Sequence, residues 1–240
     1  MSHSFSAKLF SEKFDKEKID AEYLLWETDD LAALINRLKA EKSLTGFNVT
    51  VPYKEEIIPL LDSISSGASE IGAVNTIKVS DNNGTPQLTG YNTDAEGFRQ
   101  SLTDFLPANH QHMKALVLGT GGASKAVGYA LRCEGITPTF ISRNPREGIL
   151  TYSMLTEEVI AAHEIIINTT PLGTFPDEER APDIPYRFIS DRHYCHDLVY
   201  NPEETLFMKN CRLQGAKVKN GLDMLINQAR AAWEIWQRNE

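Results

Sequence analysis

The chain has 240 residues, 41% of them hydrophobic, and carries a formal net charge of −9. This length is enough for one large domain or two small ones with a buried core. The acidic balance and the scattered Lys and Arg argue against a nucleic-acid partner, because such proteins need clustered cations to displace counterions from phosphates.

The cysteine pattern and the hydropathy of the chain exclude further classes. Cys133, Cys195 and Cys211 lack the close paired spacing of zinc or redox motifs, so we expect reduced thiols and no metal site. No apolar run approaches the roughly 18 residues that would span a bilayer, and no apolar signal core is evident. We therefore predict a cytoplasmic enzyme or binding protein without a membrane segment, acting as a monomer or a homodimer.

Helix and strand patterns alternate in the first part of the chain. Apolar residues at helical spacing predict helices over 5–14 and 28–38. A short apolar run at 21–27 predicts a strand between them, and the alternating run 47–51 predicts another. This alternation favours an α/β layer structure.

The middle of the chain predicts a hairpin and then a helix. Residues 75–80 and 87–91 flank a cluster of asparagines with Gly84, residue types that tolerate the positive φ of a tight hairpin turn. A helix follows over about 94–105. The polar segment 107–113 then precedes an abrupt apolar strand, which places a domain boundary in this region.

The second half alternates strands with helices, a pattern typical of a doubly wound parallel sheet of the Rossmann type. The predicted strands cover 115–118, 137–142, 164–168, 196–199 and 216–218. The predicted helices are one that ends near 133, one over 154–162 and a last one over 222–237.

A glycine-rich turn follows the first of these strands. Its residues are Gly119, Thr120, Gly121, Gly122, Ala123 and Ser124, and a helix begins directly after them. Glycines there allow a tight turn and a close approach of backbone to a pyrophosphate, whose charge the free N–H groups of the helix can meet. The alternative is a glycine-rich turn that binds no ligand.

The end of the next strand indicates which dinucleotide would bind. NAD enzymes usually offer Asp or Glu to the ribose hydroxyls about two dozen residues after the glycine turn. This chain has Ser142, Arg143 and Asn144 there. Because a guanidinium can bind a 2′-phosphate through two charge-assisted hydrogen bonds, we predict NADP as the cofactor.

Five motifs, taken together and in order, resemble the shikimate dehydrogenases over nearly the whole chain. They are Gly46-Phe47-Asn48-Val49-Thr50-Val51-Pro52-Tyr53-Lys54, Gly72-Ala73-Val74-Asn75-Thr76, Gly90-Tyr91-Asn92-Thr93-Asp94-Ala95-Glu96-Gly97, the glycine turn, and Asn220-Gly221-Leu222-Asp223-Met224-Leu225 with Gln228 shortly after. The resemblance implies reversible, NADPH-dependent reduction of 3-dehydroshikimate to shikimate, on the pathway to chorismate and the aromatic amino acids.

The resemblance also implies roles for individual residues. Lys54 matches the catalytic lysine of the family and Asp94 matches its partner aspartate. The implied ligands of the small-molecule substrate are Ser4, Ser6, Asn48, Thr50, Asn75 and Gln228. Tyr200 and Gly221 are implied to lie near the nicotinamide, and Thr169 is implied to lie near the cofactor at the end of its strand. Taken singly, Lys54 could be a solvated lysine, and we expect Asp94 to act also as an N-cap.

The domain division follows from the same resemblance. We expect a substrate-binding and catalytic domain over 1–97, completed by the C-terminal helix 222–240, and an NADP-binding domain over 98–221. The family usually begins with a strand before its Ser-x-Ser motif, and we expect that strand to be missing here because Ser4 stands close to Met1. Two alternatives stay open: a quinate/shikimate dehydrogenase using NAD or NADP, and a catalytically impaired shikimate-binding paralogue.

Overall fold

The computed structural model describes residues 5–238, which divide into two compact units, one ending at Leu44 and the other beginning at Thr45. The first unit contains helix α1 (Phe5–Glu17) and helix α2 (Leu31–Lys39). Asp30 caps α2 by accepting a hydrogen bond from the Ala33 N–H at 2.9 Å, which satisfies one of the free donors of the first turn. Both predicted helices of this region are confirmed.

The predicted strand at 21–27 is wrong. These residues have no regular secondary structure, and Leu24, Leu25 and Trp26 are 56%, 47% and 38% exposed. The Arg37 guanidinium lies 4.3 Å from the centre of the Trp26 ring. An apolar run becomes a strand only where another strand pairs with it, and no strand within residues 5–238 pairs with this one.

The second unit contains a mixed four-stranded sheet. Its strands are β1 (Gly46–Asn48), β2 (Ser63–Ile64), β3 (Thr76–Asn82) and β4 (Thr85–Tyr91), and they lie in the order β1-β3-β4-β2. The predicted hairpin is confirmed, since β3 and β4 pair antiparallel around Asn83 and Gly84, which have φ of 54° and 85°. Helix α3 (Ser66–Ile71) and helix α4 (Thr93–Thr103) belong to the same region.

A six-stranded, fully parallel sheet follows in the same unit. Its strands are β5 (Lys114–Leu118), β6 (Thr137–Ser142), β7 (Leu150–Thr151), β8 (Ile165–Asn168), β9 (Tyr194–Asp197) and β10 (Lys217–Lys219). Its helices are α5 (Gly122–Cys133), α6 (Glu157–Ala161), α7 (Leu206–Leu213) and α8 (Leu222–Gln237). The strand order β10-β9-β8-β5-β6-β7 is that of the doubly wound dinucleotide-binding fold, so the predicted fold class is confirmed.

The parallel sheet is buried on both faces. Leu116 and Leu118 of β5 belong to one apolar cluster, and Ala115 and Val117 belong to another. Each cluster includes side chains from helices on its own side of the sheet, which accounts for the apolar character of the central strands. The carboxyl ends of β5 and β8, where the strand order reverses, are thereby fixed as the rim of a crevice.

The last helix returns to the four-stranded sheet. At Gly97 a Cβ atom would stand 2.6 Å from the Met224 carbonyl oxygen, so α4 and α8 lie backbone against backbone there. Near the other end of α8 the Trp236 Nε1–H donates to the Ile77 carbonyl at 2.9 Å, and the buried Lys78 ammonium donates to the Arg238 carbonyl at 2.6 Å. These contacts place the middle of α8, including Gln228, beside the start of α4.

Candidate active site

The segment that follows β1 is held against the residues just before β3. The Val49 N–H donates to the Asn75 carbonyl at 2.9 Å, and the Val74 N–H donates to the Lys54 carbonyl at 2.8 Å. The predicted strand 47–51 is therefore shorter than expected, because it leaves the sheet after Asn48 and Val51 is 77% exposed. Two backbone hydrogen bonds fix where Lys54 stands.

Lys54 and Asp94 form an ion pair, as their predicted roles require. The Lys54 Nζ lies 2.6 Å from Asp94 Oδ2, and the two side chains are 17% and 11% exposed. Asp94 stands in the first turn of α4, where the helix dipole and free N–H groups favour a negative charge. The expectation that Asp94 is also the N-cap is wrong, since Asn92 fills that position and accepts from the Ala95 N–H at 3.1 Å.

Asn75 connects this ion pair to the rest of the cluster. Its Nδ2 donates to Asp94 Oδ1 at 2.9 Å and to Thr93 Oγ1 at 3.0 Å, while its Oδ1 accepts from the Thr93 N–H at 2.7 Å. Asn48 Nδ2 donates to Thr76 Oγ1 at 3.0 Å. Asn48, Asn75, Lys54 and Asp94 are thus brought together in one hydrogen-bonded group.

Gln228 reaches the same group from α8. Its Oε1 accepts from Thr93 Oγ1 at 3.4 Å, and its Nε2 donates to the Leu225 carbonyl at 3.0 Å. Thr50 is exposed on the loop before Lys54. Ser6 lies in α1 of the first unit, and Ser4 lies outside the described residues.

Two residues of this cluster received no role from the sequence. Thr76 and Thr93 are almost fully buried, and their hydroxyls lie 3.0 Å apart between Asn48, Asn75 and Gln228. They orient the amide groups and thereby the polar surface that a substrate would meet. The sequence carries a signal that could have identified them, because Thr76 stands directly beside Asn75 and Thr93 directly beside Asp94 in the motifs shared with the family.

The glycine turn has the geometry of a pyrophosphate site. Gly119 has φ of 120°, and a Cβ there would lie 2.6 Å from Thr169 Oγ1, so only glycine fits. Space is open within 4 Å of where Cβ atoms would stand on Gly121 and Gly122, at the start of α5. The open surface, the N–H groups of the first helical turn and the helix dipole suit an anion.

The structure places Thr169 beneath this turn. Its hydroxyl donates to the Leu118 carbonyl at 2.7 Å and lies 2.8 Å from the hydroxyl of the buried Ser124. Thr169 therefore connects the carboxyl end of β8 to the carboxyl end of β5, directly below the glycine turn. Thr120 and Ala123, the other predicted members of the turn, are partly exposed.

The predicted 2′-phosphate site lies at the end of β6. Ser142 is buried and its Oγ accepts from the Asn144 N–H at 3.2 Å, which turns the chain and leaves Arg143 exposed. Burial raises the pKa of Tyr152, and the nearby Arg143 charge opposes that rise, so the two side chains lie in the same neighbourhood. An exposed guanidinium at this position suits the 2′-phosphate of a dinucleotide.

Tyr200 and Gly221 lie near the carboxyl end of β9. The Gly221 N–H donates to the Val199 carbonyl at 3.0 Å, and a Cβ on Gly221 would clash with the Leu198 carbonyl oxygen. Tyr200 follows in the same loop and is 38% exposed. The close approach at Gly221 fixes this loop against the start of α8.

Residues 5–238 contain neither a cluster of metal-ligating side chains nor a membrane-spanning helix. No group of three or more His, Cys, Asp and Glu side chains within this range is arranged to hold a metal ion. No helix in the same range combines the length and the apolar character needed to cross a membrane.

Fold and site together define an α/β protein of the dinucleotide-binding class with a separate polar cluster built around a lysine–aspartate pair. Residues 1–77 match the family model described as the shikimate dehydrogenase substrate binding domain. A curated relative, shikimate dehydrogenase (NADP(+)) of Caldanaerobacter subterraneus subsp. tengcongensis, is 37% identical over 98% of this chain and 87% of its own length. The chain belongs to the shikimate dehydrogenase family.

Solved structures agree with this assignment. Shikimate dehydrogenase from Aquifex aeolicus is 37% identical and superposes with a TM-score of 0.86 over 98% of this chain and 88% of that one. Shikimate 5-dehydrogenase from Thermus thermophilus, solved in complex with NADP(H) and shikimate, is 32% identical with a TM-score of 0.83 over 98% and 89%. The whole described fold is thus shared with these enzymes.

Proposed function

We propose that this protein catalyses the reversible reduction of 3-dehydroshikimate to shikimate with NADPH, in the biosynthesis of chorismate and the aromatic amino acids. The observation that carries the proposal is the Lys54–Asp94 pair at 2.6 Å within a cluster of amide and hydroxyl groups, in a chain of this family. We assign 1–97 with 222–240 to substrate binding and 98–221 to NADP binding. All strands of the parallel sheet fall within the second range.

NADPH, when bound, supplies the hydride that reduces the ketone carbon. Negative charge then builds on the ketone oxygen, and the Lys54 ammonium stabilises it and donates a proton to it. Asp94 accepts a hydrogen bond from Lys54 and another from Asn75, so it holds the ammonium in one direction. In the reverse reaction Lys54 takes the proton from the hydroxyl group of shikimate.

Neutral polar groups suit a small polyhydroxy acid. We assign Asn48, Asn75 and Gln228, together with Ser4, Ser6 and Thr50, to the carboxylate and hydroxyls of the substrate. Each amide or hydroxyl can pair with one oxygen of the ligand, and a site built in this way discriminates strongly against analogues that lack a hydroxyl. The buried Thr76 and Thr93 support the amides from below.

NADP fits the residues at the other site. Gly119, Gly121 and Gly122 leave room for the pyrophosphate at the start of α5, and Arg143 offers a cation for the 2′-phosphate. We assign Thr120, Ala123, Ser142 and Asn144 to the same half of the cofactor, Tyr200 and Gly221 to the nicotinamide half, and Thr169 to the cofactor site at the end of β8. The cytoplasmic location and the monomeric or homodimeric state stay predictions from the sequence.

A substrate and cofactor panel tests the proposed function. Purified protein is assayed for reduction of NADP⁺ and NAD⁺ with shikimate and with quinate. We expect shikimate with NADP⁺ to give the highest kcat/KM. Comparable efficiency with quinate or NAD⁺ would favour the broader quinate/shikimate dehydrogenase. No turnover above the rate of a Lys54→Ala variant would instead favour the impaired paralogue.

Replacing Arg143 with alanine should weaken NADP⁺ binding selectively. A hydrogen bond to a charged group contributes about 1.5–3 kcal/mol, so the KM for NADP⁺ should rise about 10- to 100-fold. The KM for NAD⁺, which lacks the 2′-phosphate, should stay within about twofold. Arg187→Ala is the matched control, because Arg187 stacks on Phe188 at 4.5 Å in a separate turn. Equal losses for both cofactors would assign Arg143 a role other than 2′-phosphate recognition.

A further inference from the structure

Asp197 is a fully buried carboxylate that the proposed reaction does not use. It is the last residue of β9. Its Oδ1 accepts from Asn168 Nδ2 and from the Val199 N–H, both at 3.0 Å, and its Oδ2 accepts from Thr205 Oγ1 at 2.6 Å. All three donors are uncharged, and burial raises the pKa of Asp197 to about 6.

The first of these donors leads to the loop after β8. Asn168 uses its Nδ2 on Asp197 and its Oδ1 on Thr170, accepting from the Thr170 N–H at 3.0 Å and from its hydroxyl at 2.7 Å. Thr169 lies between these two residues and braces the glycine turn. The position of this loop is therefore tied to the carboxylate through a single side chain.

The other two donors lead to the loop after β9. Thr205 caps α7 by accepting from the Met208 N–H at 3.2 Å while donating to Asp197, so both ends of the segment 198–205 are tied to one carboxylate. Tyr200 is carried by this segment. The carbonyl of Val199 also accepts from the Gly221 N–H at 3.0 Å.

We propose that Asp197 is a positioning residue for the nicotinamide end of the cofactor site, holding the loops that carry Thr169 and Tyr200 through Asn168, Val199 and Thr205. This inference rests on the proposed function, since it assumes that NADP binds at this rim. Asp197 touches neither substrate nor cofactor in this role. It acts by fixing the backbone from which the contacting residues project.

The energetics argue against a purely stabilising role. Burial raises the pKa of Asp197 above the ordinary 3.8, so the folded state binds a proton at this carboxyl more tightly than the unfolded state does. The free energy of unfolding therefore falls as the pH rises from about 4 to above 6 and the proton is released. At neutral pH the ionised carboxylate therefore lowers stability. An amide of the same shape would avoid the desolvation of the charge.

Asp197→Asn is the direct test, measured at pH 7.5 beside the wild type. We expect the KM for NADP⁺, and the Kd for NADP⁺ from calorimetry, to rise at least about fivefold. The KM for shikimate should stay within about twofold, and Tm should be unchanged or higher. An unchanged Kd for NADP⁺, or parallel losses in every kinetic constant together with a lower Tm, would overturn the proposal.

Thr205 gives a second test that does not alter the charge. Thr205→Val removes the hydroxyl that donates to Asp197, whereas Thr205→Ser keeps it. We expect the valine variant to raise the Kd for NADP⁺ at least about threefold and the serine variant to restore it to within twofold of wild type. Equal Kd values for the two variants would contradict the proposal even if Asp197→Asn fails to fold.

The pH dependence of NADP⁺ binding, compared between the wild type and Asp197→Asn, distinguishes titration of Asp197 from titration of the ligand. In the wild type the Kd for NADP⁺ should rise as the pH falls from 7.5 to 5, because a protonated Asp197 loses acceptor capacity. Cys195, Cys211 and Tyr186 lie around the carboxylate, and burial raises the pKa of Cys211 and of Tyr186 above their ordinary values. The pKa of His196 is lowered to about 3, so this ring stays neutral across the range.

The 2′-phosphate of NADP⁺ titrates in the same pH range and also changes the Kd. In Asp197→Asn the part of the pH dependence that comes from the phosphate should persist, and the part that comes from Asp197 should disappear. Identical pH profiles in the two proteins would count against the proposal. A wild type that binds NADP⁺ but does not oxidise shikimate would refute the proposed function instead. The two failures are therefore distinguishable.

Discussion

Replacing Lys54 with alanine is expected to lower kcat for shikimate oxidation by about 10²- to 10⁴-fold, the range typical of general acid–base groups. The Lys54 ammonium lies 2.6 Å from Asp94, and the Val74 N–H donates to the Lys54 carbonyl at 2.8 Å, so both the side chain and the backbone of this lysine are held in place. Because the loss falls on the chemical step, the KM for NADP⁺ should change by less than about threefold. Steady-state kinetics with the concentrations of shikimate and NADP⁺ both varied measure kcat and the two KM values separately.

Two further variants sharpen this result. Lys42→Ala removes an exposed lysine of the first unit and should retain full activity. Asp94→Asn keeps the shape of the side chain but removes the charge that holds Lys54, so kcat should fall by an intermediate factor, about 10- to 10³-fold. A Lys54→Ala enzyme with kcat within tenfold of wild type would remove Lys54 from the mechanism.

Replacing Gly97 with alanine is expected to destabilise the fold by about 2–3 kcal/mol, because an added Cβ would stand 2.6 Å from the Met224 carbonyl oxygen and 2.7 Å from the Gln228 nitrogen. These are backbone atoms of α8, which cannot turn aside as a flexible side chain could. For a protein of this size the loss corresponds to a fall in Tm of about 4–12 °C. Thermal unfolding followed by circular dichroism measures it.

The same substitution should also raise the KM for shikimate, because separating α4 from α8 moves Gln228 away from Thr93. Gly67→Ala is the matched control, since Gly67 lies in α3 and the nearest atom to its Cβ would be Tyr129 Oη at 3.5 Å. Alanine in an open helical position should be neutral or stabilising by up to about 1 kcal/mol. A Gly97→Ala protein as stable as Gly67→Ala would contradict the close packing of the two helices.

Local patterns predicted most of the elements of the second unit. The hairpin around Asn83 and Gly84, the strand before Gly119 and the long final helix all carry signals within a few residues of themselves. The sequence patterns did not predict helix α7, although Thr205 is a good N-cap, because a helix of only 8 residues shows too few turns for its apolar spacing to stand out. Helix α3, which begins after Ser65 and ends at Gly72, was missed for the same reason.

Local patterns do not show which strand a given strand pairs with. The run at 21–27 has strand-like composition, yet strand formation depends on a second strand that the run itself does not specify. The end of β1 is equally undecided by the pattern, since Val49 and Val51 continue the alternation while the pairing with β3 covers Gly46–Asn48 alone. Cross-strand hydrogen bonds are non-local, so their extent depends on the rest of the fold.

The sequence by itself determined the fold class, because alternating strand and helix patterns are local. It also predicted the glycine turn and Arg143 from residue type at short spacing, and it predicted Lys54 and Asp94 through the resemblance to the family. Only the tertiary structure decided that Lys54 and Asp94, 40 positions apart, form an ion pair. It also decided that Thr76, Thr93 and Asp197 lie beneath the groups they orient. Such roles arise from hydrogen bonds between segments distant in the chain, and their geometry exists only once the core has packed.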